Sequence, residues 1–174
     1  GKLKKKILSN YNFINKEIVA SIDDSEKTLN ILNKNYKLNF DFNDLKKFKK
    51  FKKIAIVGMG GSILGTEAIY NFLKFKIKKK FIFFNNLRSG INKKGEKNIL
   101  NLIISKSGNT LETIKNLNTL KINKNSIFIT ENKKNYLYLW AQKLKSEIIH
   151  HNNFIGGRYS VLSEVGMLPA ELMD

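Results

Sequence analysis

Five short apolar runs, separated by stretches of helical spacing, constrain this chain more than any other feature. Ile54-Ala55-Ile56-Val57 runs directly into glycines, and Phe81-Ile82-Phe83-Phe84 runs into Asn85-Asn86. Leu100-Asn101-Leu102-Ile103-Ile104, Ile127-Phe128-Ile129 and the weaker Glu147-Ile148-Ile149 follow. A short run that is apolar at successive positions fits a strand buried on both faces. Between the runs, Ile63 to Leu73, Leu111 to Leu120 and Tyr136 to Leu144 space their apolar residues as helices do. The alternation predicts an α/β fold: a three-layer αβα sandwich with a parallel sheet of about five strands and helices on both faces. In such sheets ligands sit at the carboxyl ends of the strands, near the point where strand order reverses.

Residues 1–52 read as a helical lead-in and residues 53–174 as the α/β domain. In the lead-in, Leu29, Leu32 and Tyr36 have helical spacing, as do Leu45 and Phe48, and Asp41 or Asn43 is placed to cap a short helix through Phe51. At 174 residues the chain is long enough for one domain with a substantial core. It has no cysteine, which excludes disulfides and thiolate metal sites and fits a reducing compartment. No apolar run approaches the roughly 18–20 residues of a membrane helix, and Gly1–Asn10 lacks the apolar segment of a signal peptide. The expectation is a cytoplasmic protein without a membrane partner.

The formal charge of +18 raises the question of nucleic acid. Only Arg88 and Arg158 are arginines, however, and arginine is the residue suited to bidentate phosphate and guanine recognition. Lysine rises together with asparagine and isoleucine along the whole chain, which favours a solvated lysine surface over a nucleic-acid reader. The runs Lys4-Lys5-Lys6 and Lys78-Lys79-Lys80 are expected to be solvated ends. A basic field still steers anionic substrates inward.

Chemistry is concentrated after three of the strands. The first enters Gly58-Met59-Gly60-Gly61-Ser62-Ile63-Leu64-Gly65 and then a helix. Glycines allow close backbone approach, and a helix start offers unpaired N–H groups to an anion. A dinucleotide fingerprint would need glycine where Ile63 stands; a nucleotide P-loop would need Lys-Ser/Thr where Thr66-Glu67 stands. A tight turn without a ligand satisfies the same residues. The third strand enters Ser105-Lys106-Ser107-Gly108-Asn109-Thr110 before Leu111-Glu112-Thr113. Three hydroxyls and turn amides at a helix start suit a phosphate monoester, although Thr110 also reads as a simple N-cap. After the last strand, Gly156-Gly157-Arg158-Tyr159-Ser160 sets a guanidinium behind two glycines; a surface arginine at a helix start is the plainer alternative. His150 and His151 are adjacent on a strand and point to opposite faces, which suits neither a chelate nor a joint catalytic role.

The three clusters in this order resemble the phosphoglucose isomerase family. The glycine-rich loop at 58–65, the segment Ser105 to Thr113, and Gly156-Gly157-Arg158-Tyr159-Ser160-Val161-Leu162-Ser163 continued by Val165-Gly166-Met167-Leu168-Pro169-Ala170 carry the likeness, from about Lys53 to the last residue. The resemblance implies a flavodoxin-like sugar-isomerase (SIS) domain, a hexose 6-phosphate substrate, and neither metal nor cofactor. It implies that Ser105, Ser107 and Thr110, with the Lys106 backbone, hold the phosphate, and that Gly60, Gly61 and Ser62 line the sugar-phosphate pocket. Gly157 would border the reacting carbons, and Arg158 would stabilise the cis-enediol(ate) between glucose 6-phosphate and fructose 6-phosphate. The chain departs from the family pattern at Thr66, where proline is common, and at Asn109, where threonine or serine is usual.

Members of that family are two to three times this long and carry a second sugar-isomerase domain with the general-base glutamate and the ring-opening histidine and lysine. No glutamate here matches that motif. With no initiating methionine and an end at Asp174 inside an expected helix, the chain reads as an amino-terminal fragment, homodimeric when full-length and inactive alone. Two other classes fit less of the sequence: a non-catalytic sugar-phosphate-binding module, and a lysine-rich nucleic-acid-binding protein.

Overall fold

A computed structural model describes residues 2–86, 98–120 and 122–174; Arg88 lies outside them. The chain divides into two compact units, 1–37 and 38–174. In the first, helix α1 (Lys2–Asp23) has no buried side chain and is followed by a 3₁₀ turn at Thr28–Leu32. The helix expected through Leu29, Leu32 and Tyr36 therefore stops early. Asn33 leaves in an extended conformation, its side chain accepting from the Asn35 N–H at 2.8 Å and donating to the Ile22 carbonyl at 3.3 Å. These local bonds compete with helix continuation.

The second unit holds a five-stranded parallel sheet of order β2-β1-β3-β4-β5: β1 (Lys53–Val57), β2 (Lys80–Phe84), β3 (Ile99–Ile104), β4 (Ser126–Glu131) and β5 (Glu147–His151). Helices α3 (Gly61–Leu73), α4 (Leu111–Leu120), α5 (Tyr136–Leu144) and α6 (Glu164–Glu171) follow β1, β3, β4 and β5. The pleat sorts the apolar runs into two layers. Ile54, Ile56, Leu100, Leu102, Ile104, Ile127 and Ile129 pack with Ile63 of α3 and Val165 and Leu168 of α6. Ala55, Val57, Ile103 and Phe128 pack with Leu117 of α4 and Leu137 and Ala141 of α5. Each buried aliphatic side chain contributes about 1.5–3 kcal/mol, which is why the continuous runs fix the sheet.

Residues 38–52 belong to this unit. Asp41 caps α2 (Phe42–Leu45) by accepting from the Asn43 N–H at 2.7 Å, and Leu45, Phe48 and Phe51 are buried in the layer under α6. At the other end α6 stops at Glu171, so Asp174 lies beyond the helix expected to contain it. Lys79 departs from the solvated run as well. Its ammonium donates to the Leu172 carbonyl at 2.9 Å, and burial, with Lys49 nearby, lowers its pKa from the usual lysine value.

Because α3 and α4 lie on opposite faces while β1 and β3 are neighbours, strand order reverses between β1 and β3. The carboxyl ends of those two strands form the crevice where such folds place ligands.

Candidate functional site

All three sequence clusters stand on this edge. Gly60 is the N-cap of α3 and takes φ +54°; Gly61 and Ser62 form the helix's first turn. Gly61 meets the third cluster directly. A Cβ there would collide with the Gly157 carbonyl and lie 2.8 Å from the Arg158 nitrogen, so only glycine lets these two backbones approach. The contact is braced by Ser160, whose Oγ donates to the Gly157 carbonyl at 2.7 Å and lies 3.4 Å from that of Gly61.

The loop after β3 folds on its own hydroxyls. Ser105 Oγ accepts from the Gly108 N–H at 3.2 Å and lies 2.9 Å from Thr110 Oγ1. Ser105 is only 3% exposed, whereas Ser107 is exposed and Thr110 half-buried. Thr110 is the N-cap of α4, its carbonyl accepting the first intrahelical bond from the Ile114 N–H at 3.0 Å. The amides of Leu111, Glu112 and Thr113 precede that bond, as anion-binding amides do. Gly108 turns at φ +67° beneath the side chain of Asn135, the N-cap of α5.

Lys106 joins the second and third clusters. Its ammonium donates to the Asn153 carbonyl at 2.5 Å and lies 3.7 Å from Glu131 Oε1, while its own carbonyl accepts from the Glu131 N–H and from Thr130 Oγ1. Arg158 opens the 3₁₀ helix Gly157–Leu162. Its side chain is exposed, with no hydrogen-bond or ion-pair partner among the described residues. The structure thus brings Gly61 against Gly157 and the Arg158 nitrogen, with Gly60 and Ser62 on the same turn, and ties the Ser105–Thr110 loop to the segment leading there. No group of three or more potential metal ligands occurs among the described residues, and no described helix is long and apolar enough to cross a membrane.

Several residues that hold the site were invisible in the sequence pattern. Both departures from the family pattern carry scaffold bonds. Thr66 Oγ1 donates to the Val165 carbonyl at 3.1 Å, and Asn109 Oδ1 accepts from the Tyr136 N–H at 3.1 Å. His151 and Glu164, neither of them assigned a role from sequence, form a buried pair at 3.5 Å. Asn39 bonds both to Glu164 and to the end of β5. These partners lie far apart along the chain, and no local signal marks them.

Comparison with known proteins bears on the family and the fold. A family model described as phosphoglucose isomerase matches residues 16–173. Glucose-6-phosphate isomerase of Onion yellows phytoplasma is 33% identical over 159 residues, covering 76% of this chain and 37% of that protein. The counterpart in Borreliella afzelii is 36% identical over 141 residues, covering 69% of this chain and 26% of its own length. The chain thus spans about a third of the curated relatives it matches. Among solved structures, a hypothetical protein from Thermus thermophilus superposes with a TM-score of 0.75 at 19% identity, covering 97% of this chain and 46% of that one. The Vibrio vulnificus NanR protein complexed with ManNAc-6P reaches 0.59 at 20% identity, covering 97% and 64%, a likeness of fold. With a family model spanning nearly the whole sequence and its marker segments gathered at one crevice, the chain belongs to the phosphoglucose isomerase family.

Proposed function

We propose that this chain is the phosphate-holding and enediolate-stabilising part of a glucose-6-phosphate isomerase. The whole protein then interconverts glucose 6-phosphate and fructose 6-phosphate by moving a proton between C1 and C2. The observation that carries the reading is the seating of the Gly60-Gly61-Ser62 turn against Gly157-Arg158 beside the hydroxyl loop of α4. A hexose phosphate bears a dianion at one end and the reacting carbonyl at the other, which suits two polar loops on one edge of the sheet. The dianion takes the amides at the start of α4 and the hydroxyls of Ser107 and Thr110. Ser105, buried, acts through Thr110. If the Ser105 hydroxyl donates to Thr110, the Thr110 proton is left for the phosphate. The Arg158 guanidinium, uncommitted to any described neighbour, answers the charge that develops on the C1–C2 oxygens. A fixed cation at developing oxyanion charge favours the transition state over the substrate. The proton itself needs a general base, for which the reading looks to a second domain outside these residues.

Titration calorimetry with 6-phosphogluconate tests the reading. Binding is expected, weakened at least about tenfold by Ser107→Ala/Thr110→Ala, since two donors to a dianion are lost. Undiminished binding by that variant refutes the cradle. Isomerase turnover by residues 1–174 alone refutes the placement of the base elsewhere. A non-catalytic sugar-phosphate-binding module is the second reading, favoured by the shared fold of a protein solved with ManNAc-6P. It predicts the same binding, and full-length protein that turns nothing over.

A further inference from the structure

We propose that the buried pair His151–Glu164 is the positioning device for Arg158; the inference rests on the reading of Arg158 as the cation of the isomerase site. His151 is the last residue of β5 and Glu164 the first of α6. Everything between them, residues 152–163, is the excursion that carries Gly156, Gly157 and Arg158 out to the crevice. Across the base of that excursion His151 Nδ1 faces Glu164 Oε2 at 3.5 Å, with side chains 1% and 0% exposed. Neither imidazole nitrogen nor Glu164 Oε2 has a hydrogen-bond partner among the described residues, which leaves the 3.5 Å approach as the polar contact between Nδ1 and Oε2. A second strap closes the base. Glu164 Oε1 accepts from the Asn39 N–H at 2.9 Å, and Asn39 Nδ2 donates to the His150 carbonyl at 2.9 Å and to Asn152 Oδ1 at 3.1 Å.

Burying a carboxylate is costly, and two apolar side chains of similar volume would pack there at least as stably. What the pair supplies instead is a close polar contact, with the directional bonds of Asn39 beside it, between the point where the chain leaves the sheet and the point where it returns. The excursion has its own internal bonds: Tyr159 N–H to the Gly156 carbonyl at 2.9 Å, and Ser163 Oγ to the Ser160 carbonyl at 2.7 Å. These set its shape, while Gly61 against Gly157 and Lys106 on the Asn153 carbonyl seat its length and the pair seats its two roots. The Arg158 guanidinium has no described partner to hold it, so its position follows the backbone, which rests on Gly61 and the Lys106–Asn153 bond along its length and on the pair at its two roots.

The test compares two ligands on the full chain: 6-phosphogluconate, which bears a carboxylate at C1, and sorbitol 6-phosphate, which bears the same phosphate and no C1 charge. Glu164→Gln is expected to weaken 6-phosphogluconate about five- to tenfold, the scale of one displaced charge-assisted bond. Sorbitol 6-phosphate is expected to stay within about twofold, because the phosphate loop is untouched. In an Arg158→Gln background Glu164→Gln is expected to do nothing further, since coupled residues are non-additive. His151→Leu/Glu164→Leu covers the case in which the single variant folds poorly. It removes both partners, keeps or raises stability, and still loses the preference for 6-phosphogluconate. Equal weakening of both ligands, or an undiminished Glu164→Gln effect without Arg158, overturns the proposal in favour of a purely structural pair. If Arg158→Gln weakens 6-phosphogluconate while both pair variants bind like the parent, the positioning role fails and the site reading stands. If Arg158→Gln changes neither ligand, the site reading fails and the proposal with it.

Discussion

Thr66 and Pro169 are coupled through one carbonyl, and the coupling can be measured. Pro169 stands inside α6, where it has no N–H to give to the residue four positions earlier and its ring crowds that residue's carbonyl. That residue is Val165, 3% exposed, and its carbonyl accepts instead from Thr66 Oγ1 at 3.1 Å. Thr66 is itself 1% exposed, on the face of α3 turned toward α6. Thr66→Val keeps the side chain's shape and removes only the donor. A buried carbonyl left without a partner costs about 1–3 kcal/mol, and for a chain of this length that lowers Tm by roughly 2–12 °C. Urea unfolding followed by the fluorescence of Trp140, the single tryptophan, reports on the sheet unit. Equal m-values across the variants license the comparison. Pro169→Ala restores the missing N–H, so in that background Thr66→Val is expected to cost less than about 0.5 kcal/mol, a coupling of about 1–2 kcal/mol. The same cost in both backgrounds, or a near-neutral Thr66→Val with Pro169 in place, refutes the reasoning.

Gly61→Ala is expected to force apart the Gly61–Gly157 contact, costing about 2 kcal/mol or more and abolishing 6-phosphogluconate binding in calorimetry. Gly108→Ala combines a left-handed φ of +67° with collision against Asn135. A loss of about 1–3 kcal/mol in urea unfolding is expected, and Asn135→Ala in the same chain relieves the collision but not the backbone strain. Asn109→Ala removes the acceptor for the Tyr136 N–H and is expected to cost about 0.5–1.5 kcal/mol by the same measurement.

The sheet was legible because its inner strands are buried from both sides. Ile54 to Val57 and Ile127 to Ile129 have no solvent face, so they read as unbroken apolar runs whatever their partners. The site loops were legible for a related reason: a backbone that must approach another backbone, as Gly61 does Gly157, leaves glycine as a local mark. Residues 28–36 misled because apolar spacing is the same for a 3₁₀ turn ended by asparagine bonds as for the helix it interrupts. What no local pattern shows is a side chain whose partner lies some hundred positions away. Thr66 bonds to Val165 and Asn39 to Glu164, 99 and 125 residues apart. In each case the residue type is ordinary at its own position and acquires its purpose only when the sheet brings its partner alongside.

The same distinction accounts for where the chain departs from the family pattern. Thr66 lies in α3 past the first loop and Asn109 within the second; each supplies a bond that a neighbouring element lacks for its own reasons. Pro169 deprives α6 of one donor, and Thr66 provides it from α3. The start of α5 presents an amide with no intrahelical acceptor, and Asn109 provides one from the α4 loop. A departure of this kind is paired with the residue it serves, so grafting the usual residue at either position changes stability through that partner. On the proposed reading, hexose-phosphate recognition then changes only as far as the loop moves. Asn109→Thr tests the division directly. A β-branched hydroxyl is too short to reach the Tyr136 N–H in the manner of the longer amide, so urea unfolding is expected to show a loss of about 0.5–1 kcal/mol. On the proposed reading, in which Ser107, Thr110 and the α4 amides hold the phosphate, the affinity for sorbitol 6-phosphate is expected to stay within about twofold. A larger affinity change without loss of stability would make Asn109 a ligand-contacting residue and not a scaffold one.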